Sequence, residues 1–235
     1  VVITVLGILS VLLFGALSDV YETNLRSVGK TVQTGDTHGS LYVIERDVVA
    51  AERFLTANTI SDPSAVTWSY EGNEPANPEN QVLIVSTYAT TESLAADPSA
   101  NRSLVYAGPS CNQTLKNNLV YFVSGGNLYR RTIANTTPPC AGAVIAQKQS
   151  CVSGNNAAYC QSSDAVLLSG VSSFKIDYYT DSVSSSPLSS QYTPSGQAIV
   201  ESAAMKTIKI TVTTKQRVGA TESSIASNLR IVRQN

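Results

Sequence analysis

Histidine, tryptophan and methionine each occur once in 235 residues, as His38, Trp68 and Met205; charged side chains make up only 14 % of the chain, and its four cysteines include no CxxC pair. Each scarcity removes a class of chemistry. Acyl transfer by a hydroxyl or thiol nucleophile needs a base held against it, and His38, set among Gly and Thr, reads as a solvated loop residue. Zinc sites gather Cys and His, yet His38 lies far from every cysteine. The chain has no GxSxG, no phosphate-binding loop and no HExxH. Asp177 and Asp181 lack the dense oxygen-ligand spacing of a calcium loop, and Glu45 and Asp47 fall on different sides of a helix. No catalytic set, cofactor or metal ligand is expected, so the chain does not read as an enzyme.

A net charge of −1 gives no general attraction to nucleic acid, which is bound through Lys and Arg on phosphates. The charge is unevenly spread. Asp36, Glu45, Asp47, Glu52, Asp62, Glu71, Glu74 and Glu79 face only Arg46 and Arg53 in their stretch, whereas Lys206, Lys209, Lys215, Arg217, Arg230 and Arg233 face only Glu222. Two such stretches either pair neighbouring subunits or form two solvated faces of one domain.

What the chain does have is an apolar start. Residues 1–17, VVITVLGILSVLLFGAL, carry no charge, but the run is shorter than the roughly 20 apolar residues of a spanning helix and contains Gly7 and Gly15. It lacks the basic leader and small-residue cleavage site of a signal peptide, and with no Met before it we expect further residues upstream. The run passes into helical periodicity at Leu17, Tyr21, Leu25, Val28 and Val32, and a second stripe follows at Leu41, Ile44, Val48, Ala51 and Leu55. Glu22 and Arg26 form an i, i+4 pair. The two stripes are roughly 180° out of phase at about 100° per residue, with Gly35, Asp36 and Gly39 between them, so a kink or break is expected near Gly35–Gly39. Helix up to about residue 57 would reach about 85 Å at 1.5 Å per residue, and Asp62-Pro63 closes the helical region.

Beyond it the period becomes two. Residues 82–87 and 104–107 read as strands; residues 119–123 and 128–133 flank Ser124-Gly125-Gly126-Asn127, a hairpin signal. Phe174, Ile176 and Tyr178 alternate with polar or exposed neighbours, as do Ile208, Ile210 and Val212, and residues 228–233 supply a last strand. The Ser/Pro-rich residues 181–196 form a surface loop. Asn101, Asn112 and Asn135 stand in N-x-[ST] triplets, taken as surface loops. Of Trp68, Tyr121, Tyr129, Tyr178 and Tyr179, alternation buries half; Tyr178 is assigned to the core and Tyr179 to the surface. The fold class is α+β: a long N-terminal helical stalk, residues 1–58, and an antiparallel β-sheet globular domain, residues 59–235.

Cys111, Cys140, Cys151 and Cys160 form an even set behind an apolar N-terminus, which suggests two disulfides made in an oxidising compartment. Four cysteines allow three connectivities, and the sequence leaves all three open. The pairing we expect is Cys111 with Cys140, closing the base of the hairpin between them, and Cys151 with Cys160, tying a small loop.

VVITVLGILSVLL resembles the N-terminal helix of the type IV pilins. The succession of ERDVVAAERF at residues 45–54, GGNLYRRT at 125–132, VLLSGVSSFKIDYY at 166–179, MKTIKITVTT at 205–214 and NLRIVRQN at 228–235 is similar to the minor pilins and J-type pseudopilins of pilus and type II secretion machines. The family's leader peptide, processing site and adjoining acidic residue match no position here. The resemblance implies a structural filament subunit packing Val1, Val2, Ile3, Val5, Leu6, Ile8, Leu9, Leu12, Leu13, Phe14, Leu17, Tyr21 and Leu25 into a filament core. It implies other copies or other pilins as partners, inner-membrane assembly machinery before assembly, and an extracellular surface filament able to meet a host or cell-surface receptor. The alternative is a monomeric, membrane-anchored binding module.

Overall fold

In the computed structural model the described residues are 2–64, 68–69, 80–92, 103–188, 199–201, 205–218 and 221–234; of residues 2–12, 141, 218 and 221 only the backbone is described. A single helix α1, Val2–Val49, leads into an antiparallel β domain, as the α+β expectation held. The strands are β1 (Ala51–Leu55), β2 (Leu83–Tyr88), β3 (Tyr106–Ala107), β4 (Gln113–Thr114), β5 (Lys116–Ser124) and β6 (Asn127–Ile133). They continue as β7 (Ser150–Cys151), β8 (Ser162–Ser163), β9 (Ala165–Ser169), β10 (Val171–Tyr179), β11 (Thr207–Val218) and β12 (Thr221–Val232).

Two sheets carry the domain: a five-stranded one in the order β1-β2-β5-β6-β9, and a three-stranded one in the order β10-β11-β12. Gly125 and Gly126 close the β5–β6 hairpin with φ of 55° and 73°, the positive values a two-residue turn demands. At Gly170, between β9 and β10, φ is 73° and an added Cβ would lie 2.7 Å from the Lys215 carbonyl oxygen. The Lys215 N–H donates to the Gly170 carbonyl at 2.7 Å, so the chain crosses between sheets where only glycine fits.

The main core lies between α1 and both sheets. Leu41, Ile44 and Val48 of the helix meet Phe54, Val85, Tyr121 and Leu128 of the larger sheet and Phe174, Ile208 and Ile210 of the smaller one. A second cluster, with Leu55, Trp68, Ile84, Val120, Phe122 and Ile133, covers the opposite face of the larger sheet.

Three expectations about the helix are corrected. The chain is helical at every residue through Gly35–Gly39, so it does not break there. The phase change has another cause: the earlier stripe is exposed, with Leu17 57 % and Val32 55 % accessible, whereas the later stripe is buried, with Leu41 at 3 % and Ile44 at 0 %. Opposite sides of one continuous helix serve two environments. The helix also ends at Val49 and not near residue 57, because Ala51 and Phe54 enter the core as strand β1, with Phe54 opposite Val85 of β2. His38, expected in a loop, is an exposed helical residue. Among the described residues no helix is long and apolar enough to cross a membrane.

Candidate assembly surface

Along the first half of α1, Leu13, Phe14, Leu17, Val20, Tyr21, Leu25, Val28 and Val32 are all exposed, from 46 % at Leu25 to 73 % at Phe14. Full burial of one such side chain is worth about 1.5–3 kcal/mol, and soluble monomers rarely leave a contiguous apolar strip uncovered. Of the residues assigned to a filament core, Leu13, Phe14, Leu17, Tyr21 and Leu25 therefore share one exposed surface. Val1 lies outside the described residues, and Val2, Ile3, Val5, Leu6, Ile8, Leu9 and Leu12 have only their helical backbone described.

The second half of the helix holds this strip out from the domain. Gln33, Thr37 and Ser40 are buried polar residues of this half: Gln33 Nε2 donates to Thr214 Oγ1 at 2.6 Å, Ser40 Oγ donates to the Leu167 carbonyl of edge strand β9 at 2.5 Å, and Thr37 Oγ1 donates within the helix to the Gln33 carbonyl at 2.8 Å. About two turns further, Asp47 is buried and its Oδ2 accepts from the Tyr121 hydroxyl and from Arg130 Nε, both at 2.6 Å. Burial, together with the adjacent Asp47 charge, pushes the Tyr121 phenol well above its ordinary range. Burial works against the Arg130 charge, but the facing Tyr121 oxygen and the Asp47 carboxylate outweigh it and hold the guanidinium raised. The helix is thus tied to β5 and β6 by charge-assisted bonds, the stronger kind.

A second ionic group ties down the loops. The Arg131 guanidinium, fully buried, donates to Asp164 Oδ2 at 2.6 Å and to Asp62 Oδ2 at 2.9 Å, and stacks 5.0 Å from the Trp68 ring. Trp68 Nε1 donates to Asp62 at 2.8 Å, and Ser150 Oγ to Asp164 at 2.8 Å. Cys151 is bonded to Cys160 and Cys111 to Cys140, with Cα–Cα separations of 5.6 and 5.8 Å. The Cys111–Cys140 bond spans the foot of the β5–β6 hairpin, and the Cys151–Cys160 bond closes the loop before Asp164.

These contacts change the reading of the charged stretches. Asp47 and Asp62 are buried against Arg130 and Arg131, and Glu52 bonds Lys116 at 2.6 Å; Glu71, Glu74 and Glu79 lie outside the described residues. Most of the described acids thus serve the domain's own packing and do not form an acidic docking patch. In the basic tail Arg233 is buried, its charge disfavoured by burial and eased by Glu52 and Tyr88. Tyr179, assigned to the surface, is 5 % exposed beneath the Arg230 guanidinium at 4.1 Å. Trp68, Tyr121 and Tyr178 are buried too, so these rings form no exposed platform. Asp181 accepts from the Ser184 and Val183 N–H groups, which lower its pKa, and among the described residues no group of three His, Cys, Asp or Glu is placed to hold a metal.

No family model and no curated protein matches the chain. Among solved structures it is similar to a binary complex of two pseudopilins from the type 2 secretion system of Vibrio vulnificus, at 9 % identity and a TM-score of 0.38, covering 86 % of this chain and 92 % of that one. It is also similar to a type IV-like pilin from Thermus thermophilus, at 9 % identity and a TM-score of 0.37, covering 85 % of this chain and 96 % of that one.

Proposed function

We propose that the chain is a structural subunit of a pilus-like extracellular filament, with the β domain outward and the first half of α1 packed among the helices of neighbouring subunits. The observation that carries this reading is the exposed apolar strip from Leu13 to Val32 on an element whose other half is locked into the domain. A side chain such as Leu17 or Leu25 loses nothing by exposure in the single chain only if a partner covers it in the assembled state. The two disulfides suit an oxidising exterior, and the order of sequence segments resembles that of minor pilins and pseudopilins. Adhesion, motility and secretion are all served by such filaments, and we assign none of them to this chain.

Electron microscopy of filaments sheared from the producing cells, with antibody against the β domain, tests the reading. Label along filaments or at their ends is expected. Label confined to the cell membrane would overturn it in favour of a monomeric binding module. In the same cells Phe14→Asp with Leu17→Asp is expected to abolish incorporation while the secreted domain keeps its fold; filaments carrying that variant would overturn the assignment of the strip.

A further inference from the structure

The β domain carries a cleft of its own. Three loop segments, within residues 134–139, 145–149 and 159–161, enclose about 390 Å³ beside Pro63, and no residue of α1 lines the space. Small-molecule sites occupy about 300–1,000 Å³. The walls are held by covalent bonds: Cys140, bonded to Cys111, follows the lining residue Pro139, and Cys160, bonded to Cys151, stands between the lining residues Tyr159 and Gln161. Hydrogen bonds tie them further. Gln149 Oε1 accepts from the Ala134 N–H at 2.9 Å, Gln147 Oε1 from the Thr90 N–H at 3.0 Å, and the Gln149 carbonyl from the Gln161 N–H at 3.0 Å. The fully buried Asn117 accepts from the Asn135 N–H at 2.9 Å. With each segment fixed in this way, a ligand entering the cleft has little to order.

The lining selects among ligands. Asn135 Nδ2, the Gln161 amide, the Thr136 and Tyr159 hydroxyls and Lys148 Nζ make no hydrogen bond to another described residue. Amides and hydroxyls both donate and accept, so the matching ligand is rich in groups that also do both, which is the chemistry of a sugar. An apolar ligand would leave these groups unpaired. Tyr159, 39 % exposed, offers the flat apolar body and polar tip on which the C–H face of a sugar ring packs. Lys148 is the one charged residue of the lining, and no carboxylate lines the cleft with it. A carboxylate on the sugar therefore gains a charge-assisted bond, whereas a nucleic acid, bound by many cations along its phosphates, finds a single one.

We infer that this cleft binds one acidic sugar residue at the end of a glycan chain. Tyr159 carries the ring, Lys148 pairs with the carboxylate, and Asn135 and Gln161 bond the hydroxyls. The cleft shares no residue with the exposed strip of α1. The inference thus stands apart from the filament reading and gives the β domain a ligand of its own.

Saturation-transfer NMR on the full chain in detergent micelles tests it, with the methyl glycosides of N-acetylneuraminic acid, glucuronic acid and galactose as probes. Transfer is expected to at least one of the two acidic sugars and to exceed that to galactose. Lys148→Gln is expected to weaken binding of the acidic sugar about tenfold and bring it to the level of galactose. Tyr159→Ala is expected to abolish transfer. Both side chains are exposed, so the unfolding midpoint should stay in place in each variant. No transfer to either acidic sugar at millimolar concentration would overturn the inference, and so would galactose matching them in the unsubstituted chain. Transfer that survives Tyr159→Ala, or a preference for the acid that survives Lys148→Gln, would place the sugar outside this cleft. A chain that binds the sugar as expected yet never enters filaments would remove the filament reading and leave this one standing.

Discussion

The two halves of α1 put their apolar side chains to opposite uses. Between Gln33 and Val48 the apolar groups turn toward the sheets, and three polar residues, Gln33, Ser40 and Asp47, anchor that face by bonds to Thr214, Leu167, Tyr121 and Arg130. Between Leu13 and Val32 they turn to solvent, and the local bonds are within the helix: Arg26 to Glu22 at 2.5 Å, and Thr23 and Thr31 to the carbonyls one turn earlier. The first half contributes little to the stability of the domain, and the second contributes much. A helix can therefore be divided by function with no change in its backbone.

Substitutions in each half sharpen that contrast. The largest effect on stability is expected at Ile44, fully buried between both sheets, where Ile44→Ala should cost about 2–5 kcal/mol, read from the chemical unfolding midpoint. Leu25→Asp in the other half should leave that midpoint within about 0.5 kcal/mol while removing the chain from filaments. A destabilisation at Leu25 as large as that at Ile44 would break the comparison.

Asp47 tests the anchor. Asp47→Asn keeps the shape but removes the charge that Tyr121 and Arg130 face, and is expected to cost about 1.5–3 kcal/mol. A related measurement uses pH. The folded state holds the Tyr121 proton more tightly than the unfolded chain does, so this contribution is fully present below the unfolded tyrosine value of about 10 and is lost as pH rises toward the folded one. Tyr121→Phe should flatten that alkaline loss; an unchanged slope would mean the phenol is not buried against Asp47. The smallest effect is expected at Gly15, exposed on the first half with nothing within 4 Å of an added Cβ. Gly15→Ala should add about 1 kcal/mol of local helix propensity, seen as slower amide exchange near residue 15 with no shift in the domain midpoint.

Much of this was legible in the residues. The stripe from Leu17 to Val32, the β5–β6 hairpin around Gly125-Gly126, the alternation of β10 and β11 and the even cysteine count all depend on neighbours within a few positions. Strand β1 was not legible, because Ala51 and Leu55 also satisfy a helical spacing with Leu41, Ile44 and Val48; pairing of Phe54 with Val85 decided it. Strand β9 was missed for a similar reason. Its exposed Ala165 and Val166 and buried Leu168 give too short a pattern to identify without its partner β6. The surface assignment of Tyr179 failed because Arg230 from β12 covers a ring that alternation had turned outward.

The sequence by itself determined the kinds of element, their order and the presence of an apolar helical face, since these follow from periodicity and local backbone preference. Tertiary structure alone decided which apolar face is covered, where α1 gives way to strand, and which of the acids lie buried beside arginines. Those outcomes depend on pairings across the chain, such as Asp47 with Arg130 and Asp62 with Arg131, and a burial that is worth several kcal/mol when two distant segments meet leaves no trace in the spacing of either one.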